Sequence, residues 1–318
     1  MDLRERGVAS RGLAQNGRRA KAIAVLVLGD IGHSPRMQYH ALSLARAGHS
    51  VELVGYAGSK PMERILDSPN IIIRHIRSLP RPTRMAGDSQ IQWPLSWHIN
   101  EEDRGNTGTL LTQQRIDGTV EMRKDRPMLI VSTTSWTADE DFSILLDALA
   151  QYDSRASHLD ETGMCAKMQL PRLAVLITGK GPLRAYYEQA VAKMKLRKVH
   201  IAMAWLSAED YPLVLGSADL GVSLHTSSSG LDLPMKVVDM LGCGTPVCAY
   251  SFSCIGELVT ADNGLVFGNA EELAQQIEGL AKQLDCGHSM YERLLQGAAR
   301  FREIDWDTNY GIILDLLQ

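Results

Sequence analysis

Residues 224–247 read LHTSSSGLDLPMKVVDMLGCGTPV. The run just ahead of it and into it, 219–225 (DLGVSLH), has the short hydrophobicity of a buried parallel strand. Thr226 to Gly230 follow, four small hydroxyl residues and a glycine. Pro234 suits the first turn of a helix, and Gly244-Thr245-Pro246 ends that helix before a second apolar run at 246–250. Strand, small-residue loop, helix and strand make one unit of a parallel α/β sheet. Small side chains leave the N–H groups at the helix start open, and the partial positive charge there favours a diphosphate. Lys236, in the first turn, adds a full charge. Asp239 stands three residues on and shares its face, with two carboxylate oxygens to accept from a diol such as ribose. Val237, Val238 and Leu241 are expected on the buried side. The plain alternative is an exposed Lys–Asp pair. The coincidence of strand end, small-residue loop, Pro234 and glycine exit favours a ligand, with Ser228, Ser229, Gly230, Lys236 and Asp239 around it.

The same alternation extends on both sides. A strand at 128–132 leads to Thr137, which with Glu140 has the spacing of a capping box. Phe142, Leu145, Leu146 and Leu149 then give the stripe of a helix. A strand at 173–178 runs into Gly179-Lys180-Gly181-Pro182 and a helix reaching about Leu196. The two glycines permit close backbone approach, and Lys180 can reach an anion. The spacing is not that of a P-loop. A strand at 199–203, a short helix from Ser207 with Asp210 three residues on, and a helix at 270–284 boxed by Asn269 and Glu272 continue the pattern. Residues 126–288 therefore read as a doubly wound domain, with right-handed crossovers and its ligand at the carboxyl ends of the strands.

Residues 21–79 read as the first half of a second such domain. A strand at 22–28 precedes the loop Gly29 to Pro35, where Ser34 suits the N-cap and Pro35 the first helical position. The helix runs to about Ala47 with Gly48 as its stop, and strands follow at 50–56 and 70–76. Gly29, Asp30, Gly32, Ser34 and Arg36 gather at this helix start and could face another phosphate; a tight turn with a surface arginine is the simpler alternative. The loop lacks G-x-G-x-x-G, which disfavours a nicotinamide cofactor. Residues 80–125 have prolines, glycines and charges with no sustained period, and read as an irregular linker. Residues 1–20 are basic without an apolar core, and read as a disordered tail rather than a signal peptide. Residues 289–318 are expected to form C-terminal helices packing back on the domains.

Composition bounds the function. The 318 residues are 45% hydrophobic and 22% charged, with a net charge of −4, which fits two globular domains and gives no reason to expect nucleic acid. Five cysteines without a C-x-x-C pair disfavour zinc and favour a reducing compartment. The longest clean apolar run, 22–28, is far short of the ~20 residues that span a bilayer. Asp139-Glu140-Asp141 reads as helix-start acids answering the dipole. Asp305-Trp306-Asp307 has no strand before it and is set aside as a metal site, and His98 reads as a loop residue. No metal is expected.

Several stretches resemble one family. LGDIGHSPRMQYHALSLARAGHSVELVGY, STTSWTADEDFSILLDAL, TGKGPLRAYY, the run from WLSAEDYP through SSSGLDLPMKVVDMLGCGTPVCA, and NGLVF are similar to chitobiosyldiphosphodolichol β-mannosyltransferases. The likeness covers roughly 21–80 and 126–310, and the P-M-K-V-V-D…G-T-P-V skeleton resembles GT-B glycosyltransferases more widely. The resemblance implies an α/β, GT-B-like fold of two Rossmann-type domains, the N-terminal one incomplete. It implies transfer of mannose from GDP-mannose to the distal GlcNAc of GlcNAc₂-diphosphate-dolichol, forming a β-1,4 linkage with inversion. Gly179, Lys180, Ser228, Ser229, Gly230, Lys236 and Asp239 would hold GDP-mannose, a donor substrate rather than a cofactor. Gly29, Asp30, Gly32, Ser34 and Arg36 would face the cleft from the acceptor side. The implied partners are the dolichyl-diphosphate chitobiose acceptor and other dolichol-pathway mannosyltransferases. The implied location is the cytosolic face of the endoplasmic reticulum, peripheral to the membrane. Family members carry a longer N-terminal domain with Asp-Trp-His-Asn and Gln-Asn-Pro-Pro segments and, in many, a membrane anchor. None is found here, so the chain reads as a shortened form. A catalytically impaired form that binds GDP-mannose or a partner is the alternative.

Overall fold

A computed structural model describes residues 20–32, 34–76, 110–115, 117, 119–161, 169–226, 229, 231–284, 289–301 and 306–316. The chain forms two compact units, one from residues up to 86 and from 304 onward, the other from 87–303. The tail expected at 1–20, except for Ala20, and the segment around His98 lie outside the described residues.

The larger unit is built on six parallel strands: β6 (Met128–Thr133), β7 (Leu173–Thr178), β8 (Val199–Ala204), β9 (Leu220–Ser223), β10 (Val247–Tyr250) and β11 (Gly264–Phe267). Their order across the sheet is β11-β10-β9-β6-β7-β8. Strands β6 and β7 are buried at every position, as a sheet covered on both faces requires. Met128 and Ile130 pack in one core with α3 (Phe142–Glu161) and α7 (Ala270–Ala281). Leu129 and Val131, of opposite parity, pack in another with α5 (Asp210–Ser217), α6 (Met235–Gly242) and α8 (Met290–Phe301). Helix α4 (Arg184–Lys193) follows β7 and stops short of Leu196. The chain winds outward from β6 to β8, then crosses back to β9 and winds the other way, so the order reverses between β6 and β9.

The smaller unit holds β1 (Ala22–Asp30), β2 (Ser50–Tyr56) and β3 (Ile71–Ile76), parallel and in that order. Helix α1 (Pro35–Arg46) covers one face, with Ala41, Leu42, Leu44 and Ala45 against Val25, Val27, Val51 and Leu53. Leu26 and Ile72 are 53% and 48% exposed. A short α2 (Glu63–Leu66) contributes Ile65 to this core, and α9 (Trp306–Leu316) contributes Tyr310. The two last helices thus belong to different units, α8 to the larger and α9 to the smaller.

The described part of the expected linker is not irregular. β4 (Thr112–Gln114) and β5 (Val120–Met122) pair as an antiparallel hairpin, and Leu110 is buried in the core beneath α5 and α6. Ser34 occupies the N-cap position of α1 but makes no side-chain cap; its Oγ donates to the carbonyl of Asp30 at 3.0 Å. Gly48 and Gly244 take the left-handed conformation, φ 87° and 83°, that ends α1 and α6. Asn269 caps α7, accepting from the Glu272 N–H at 2.9 Å, while Glu272 accepts from Gly268 N–H and Asn269 Nδ2.

Candidate functional site

In an open parallel sheet the crevice for a ligand lies beyond the carboxyl ends of the strands where the order reverses. Here that place falls between the loop after β6, residues 134–141, and the loop after β9, residues 224–234. The two loops are joined. Thr226 donates from its N–H (3.3 Å) and its Oγ1 (2.5 Å) to the carbonyl of Asp139. Glu140 and His225 form a β-bridge.

Glu140 does not reach back to cap a helix with Thr137. The carboxylate is buried and turns toward β6 instead, accepting from Thr134 Oγ1 at 2.7 Å and from the Ser135 N–H at 2.9 Å. Its other oxygen pairs with Lys236 Nζ. Asp141 takes over at the start of α3, accepting from the N–H of Ser143 at 2.9 Å. The acids at 139–141 are therefore not equivalent dipole partners, because the middle one is a structural anion for Lys236. A carboxylate at this depth is tolerated only with a full set of donors.

Lys236 projects from the first turn of α6, whose N-cap position is Pro234. Asp239, three residues on, accepts from Tyr211 Oη at 3.1 Å. Burial, followed by the charge of Asp239, raises the Tyr211 pKa, so the phenol stays protonated and donating. Val237, Met240 and Leu241 form the buried face of α6, whereas Val238 is 37% exposed, contrary to the expected face. Ser229 Oγ donates to Asp232 Oδ1 at 3.2 Å. Ser228 and Gly230 lie outside the described residues.

His225, at the end of β9, is held between carboxylates: Nε2 is 3.1 Å from Asp232 Oδ2 and Nδ1 is 3.8 Å from Asp139 Oδ2. The Asp139 carboxyl is held below the usual range, first by a hydrogen bond from Thr137, with smaller help from His225 and Lys236.

The glycines of the 179–182 loop face protein. A β-carbon on Gly179 would overlap the carbonyl of Thr134, and one on Gly181 the carbonyl of Ser135. Trp136 completes this junction. It is buried at φ 49°, a strained value for a non-glycine, and its Nε1 donates to the Gly179 carbonyl at 3.2 Å. Lys180 is exposed and places its Nζ 4.1 Å from the centroid of the Trp205 ring, a cation–π contact at the end of β8.

The other predicted group belongs to the smaller unit. Gly29 lies in β1 and Asp30 ends it. Asp30 accepts from the N–H groups of Gly32 (3.0 Å) and Ser59 (2.8 Å), tying the loops after β1 and β2 together. A side chain on Gly32 would strike the backbone of Ser59. Ser34 serves the backbone of Asp30, and Arg36 is exposed on the first turn of α1.

Sequence reasoning therefore missed Glu140, His225, Asp232, Tyr211 and Trp205. Their common signal is position, since four of them sit just past a strand's carboxyl end or in the loop that follows it. Among the described residues, no group of His, Cys, Asp and Glu is placed to hold a metal ion.

The family described as Glycosyl transferases group 1 matches residues 130–283, which span the sheet from β6 through β11 and run beyond α7. An Arabidopsis thaliana protein named UDP-glycosyltransferase TURAN is 34% identical, with 82% of this chain and 89% of the relative covered. The human chitobiosyldiphosphodolichol beta-mannosyltransferase is 31% identical, with 93% and 92% covered. The chain belongs to the chitobiosyldiphosphodolichol β-mannosyltransferase family. Its alignment with the human relative runs over 435 positions, more than the 318 residues of this chain. Other members of the β-mannosyltransferase family thus carry segments with no counterpart here. A solved glycosyltransferase from Rickettsia africae ESF-5 matches with a TM-score of 0.54 at 12% identity, over 93% of this chain and 97% of that one. That likeness is one of fold, the α/β GT-B architecture of this glycosyltransferase family.

Proposed function

We propose that the chain transfers mannose from GDP-mannose to the distal GlcNAc of GlcNAc₂-diphosphate-dolichol, making a β-1,4 bond with inversion at the anomeric carbon. The reaction would take place at the cytosolic face of the endoplasmic reticulum, beside other mannosyltransferases of the pathway. The observation that carries this reading is the position of Lys236: a lysine in the first turn of α6, at the sheet's switch point, in a member of the β-mannosyltransferase family. The helix N-terminus and the ammonium together favour a diphosphate. Inverting transfer needs a base for the acceptor hydroxyl proton and stabilisation of the charge that gathers on the departing diphosphate. Lys236, Lys180 and the α6 N-terminus supply positive charge for the second task. Asp239 serves the ribose, and Ser228, Ser229 and Gly230 serve the phosphates. Gly29, Asp30, Gly32, Ser34 and Arg36 serve the acceptor side. Among the described residues no helix is long and apolar enough to cross a membrane.

A second reading is favoured by the alignment that outruns the chain: a form that binds GDP-mannose, or a partner, without transferring. One experiment separates the two. The purified chain is assayed for mannose transfer from GDP-mannose to phytanyl-linked chitobiose diphosphate, and its melting temperature is read with and without GDP. Product formation supports the transferase. Protection by GDP without product supports the binding form. Neither protection nor product rejects the site.

A further inference from the structure

Lys236 reaches the switch point with its ammonium already engaged. The engaging group, Glu140, is 2% exposed and comes from a different loop, 96 residues away in sequence. Its geometry is fixed independently of the lysine. One carboxylate oxygen accepts from Thr134 Oγ1 (2.7 Å) and Ser135 N–H (2.9 Å), both on the residues that leave β6. That segment is itself locked, because Gly179 and Gly181 press on the carbonyls of Thr134 and Ser135 and Trp136 donates to the Gly179 carbonyl. The second oxygen meets Lys236 Nζ. A lysine stem is long and its rotamers are many, so an ammonium aimed at a ligand from one helix turn would be poorly placed by its own chain. An ammonium also has three donors, of which this carboxylate takes one.

We propose that Glu140 is a positioning residue that holds the Lys236 ammonium at the β6/β9 switch point for the donor diphosphate. It acts through Lys236 and does not touch the nucleotide. The inference rests on the placement of the diphosphate proposed above.

The test is a double-variant cycle on nucleotide affinity in the full chain, by calorimetry, with GDP and guanosine as probes. Lys236→Ala should weaken GDP binding, and Glu140→Gln should weaken it about tenfold. Glu140→Gln should add nothing in the Lys236→Ala background and should leave guanosine affinity unchanged. A merely structural Glu140 would weaken both probes alike, and its effect would add to that of Lys236→Ala; either result overturns the proposal. Tighter GDP binding by Glu140→Gln also overturns it, since the carboxylate would then be competing with the phosphates. Should Glu140→Gln fail to fold, Glu140→Asp, which keeps the charge but withdraws it from Lys236, is judged by the same criteria. If Lys236→Ala leaves GDP affinity unchanged, the diphosphate site itself is wrong. If Lys236→Ala weakens binding and Glu140→Gln does not, only the positioning role fails.

Discussion

The carbonyl oxygen of Ser135 occupies the space that a side chain on Gly181 would need. Two loops from neighbouring strands, after β6 and after β7, thereby pack backbone to backbone. Gly181→Ala forces them apart and should destabilise the larger unit by about 1–3 kcal/mol, the usual cost of overpacking. Because the same carbonyls belong to the segment that holds Glu140, GDP protection should shrink as well. Urea unfolding of the variant, with and without GDP, checks both; an unperturbed midpoint would show that the loops yield freely.

Lys236→Ala should weaken GDP binding by about 1.5–3 kcal/mol, the worth of a charge-assisted hydrogen bond. The effect should fall on the diphosphate rather than the base, so guanosine affinity is the control. Titration calorimetry reads both, and equal GDP affinity in variant and parent would remove the diphosphate from this helix.

Asp219 is the buried anchor where the chain enters β9. Both of its oxygens are bound by Arg126, at 2.7 and 2.8 Å, and one also accepts from the Leu129 N–H at 2.7 Å. Asp219→Ala takes the carboxylate from the guanidinium, which is 12% exposed, and should cost about 3–5 kcal/mol. The loss should be seen as a lower denaturation midpoint with an unchanged slope. A loss below about 1 kcal/mol would place the pair with ordinary surface ion pairs.

The smaller unit should weaken in mild acid. His40 packs edge-on to Trp306 at 5.0 Å and against Tyr310 at 5.4 Å. Burial first, and then the charge of Arg36, hold its pKa below the usual 6.5. The unfolded chain therefore takes up this proton before the folded one as pH falls. Stability is complete above about pH 6.5, declines below it, and levels off once folded His40 protonates. The melting temperature should fall between about pH 7.5 and about pH 5.5, and His40→Phe should flatten that slope. An identical slope in the variant would place the titration elsewhere.

The strands of the larger unit were legible because a sheet buried on both faces writes itself as unbroken apolar runs; 173–178 is the observed β7 to the residue. The hairpin at 112–122 was not legible, since three-residue strands are too short to show alternation. Between the two strands, Asp117 accepts from the N–H of Thr119. Val238 was misplaced because an eight-residue helix leaves its face ambiguous at the margins. For the site, the helix start and Lys236 could be read from the quoted stretch alone. Glu140 could not, because its local spacing from Thr137 imitates a cap while its partner lies on another element. The glycines of the 179–182 loop signal a close backbone approach in the sequence, and the neighbouring loop after β6 makes it.

Trp306 donates to Ser43 across a separation of 263 positions and stacks on Tyr310, which joins the core beneath α1. The region translated early is therefore finished by a segment translated late. On the ribosome, Tyr39, His40 and Ser43 of α1 must wait for their α9 partners while the whole larger unit is made. A stop codon or frameshift after α8 would leave that larger core whole and injure the smaller one, so a core begun ahead of the larger unit is hostage to a helix made behind it.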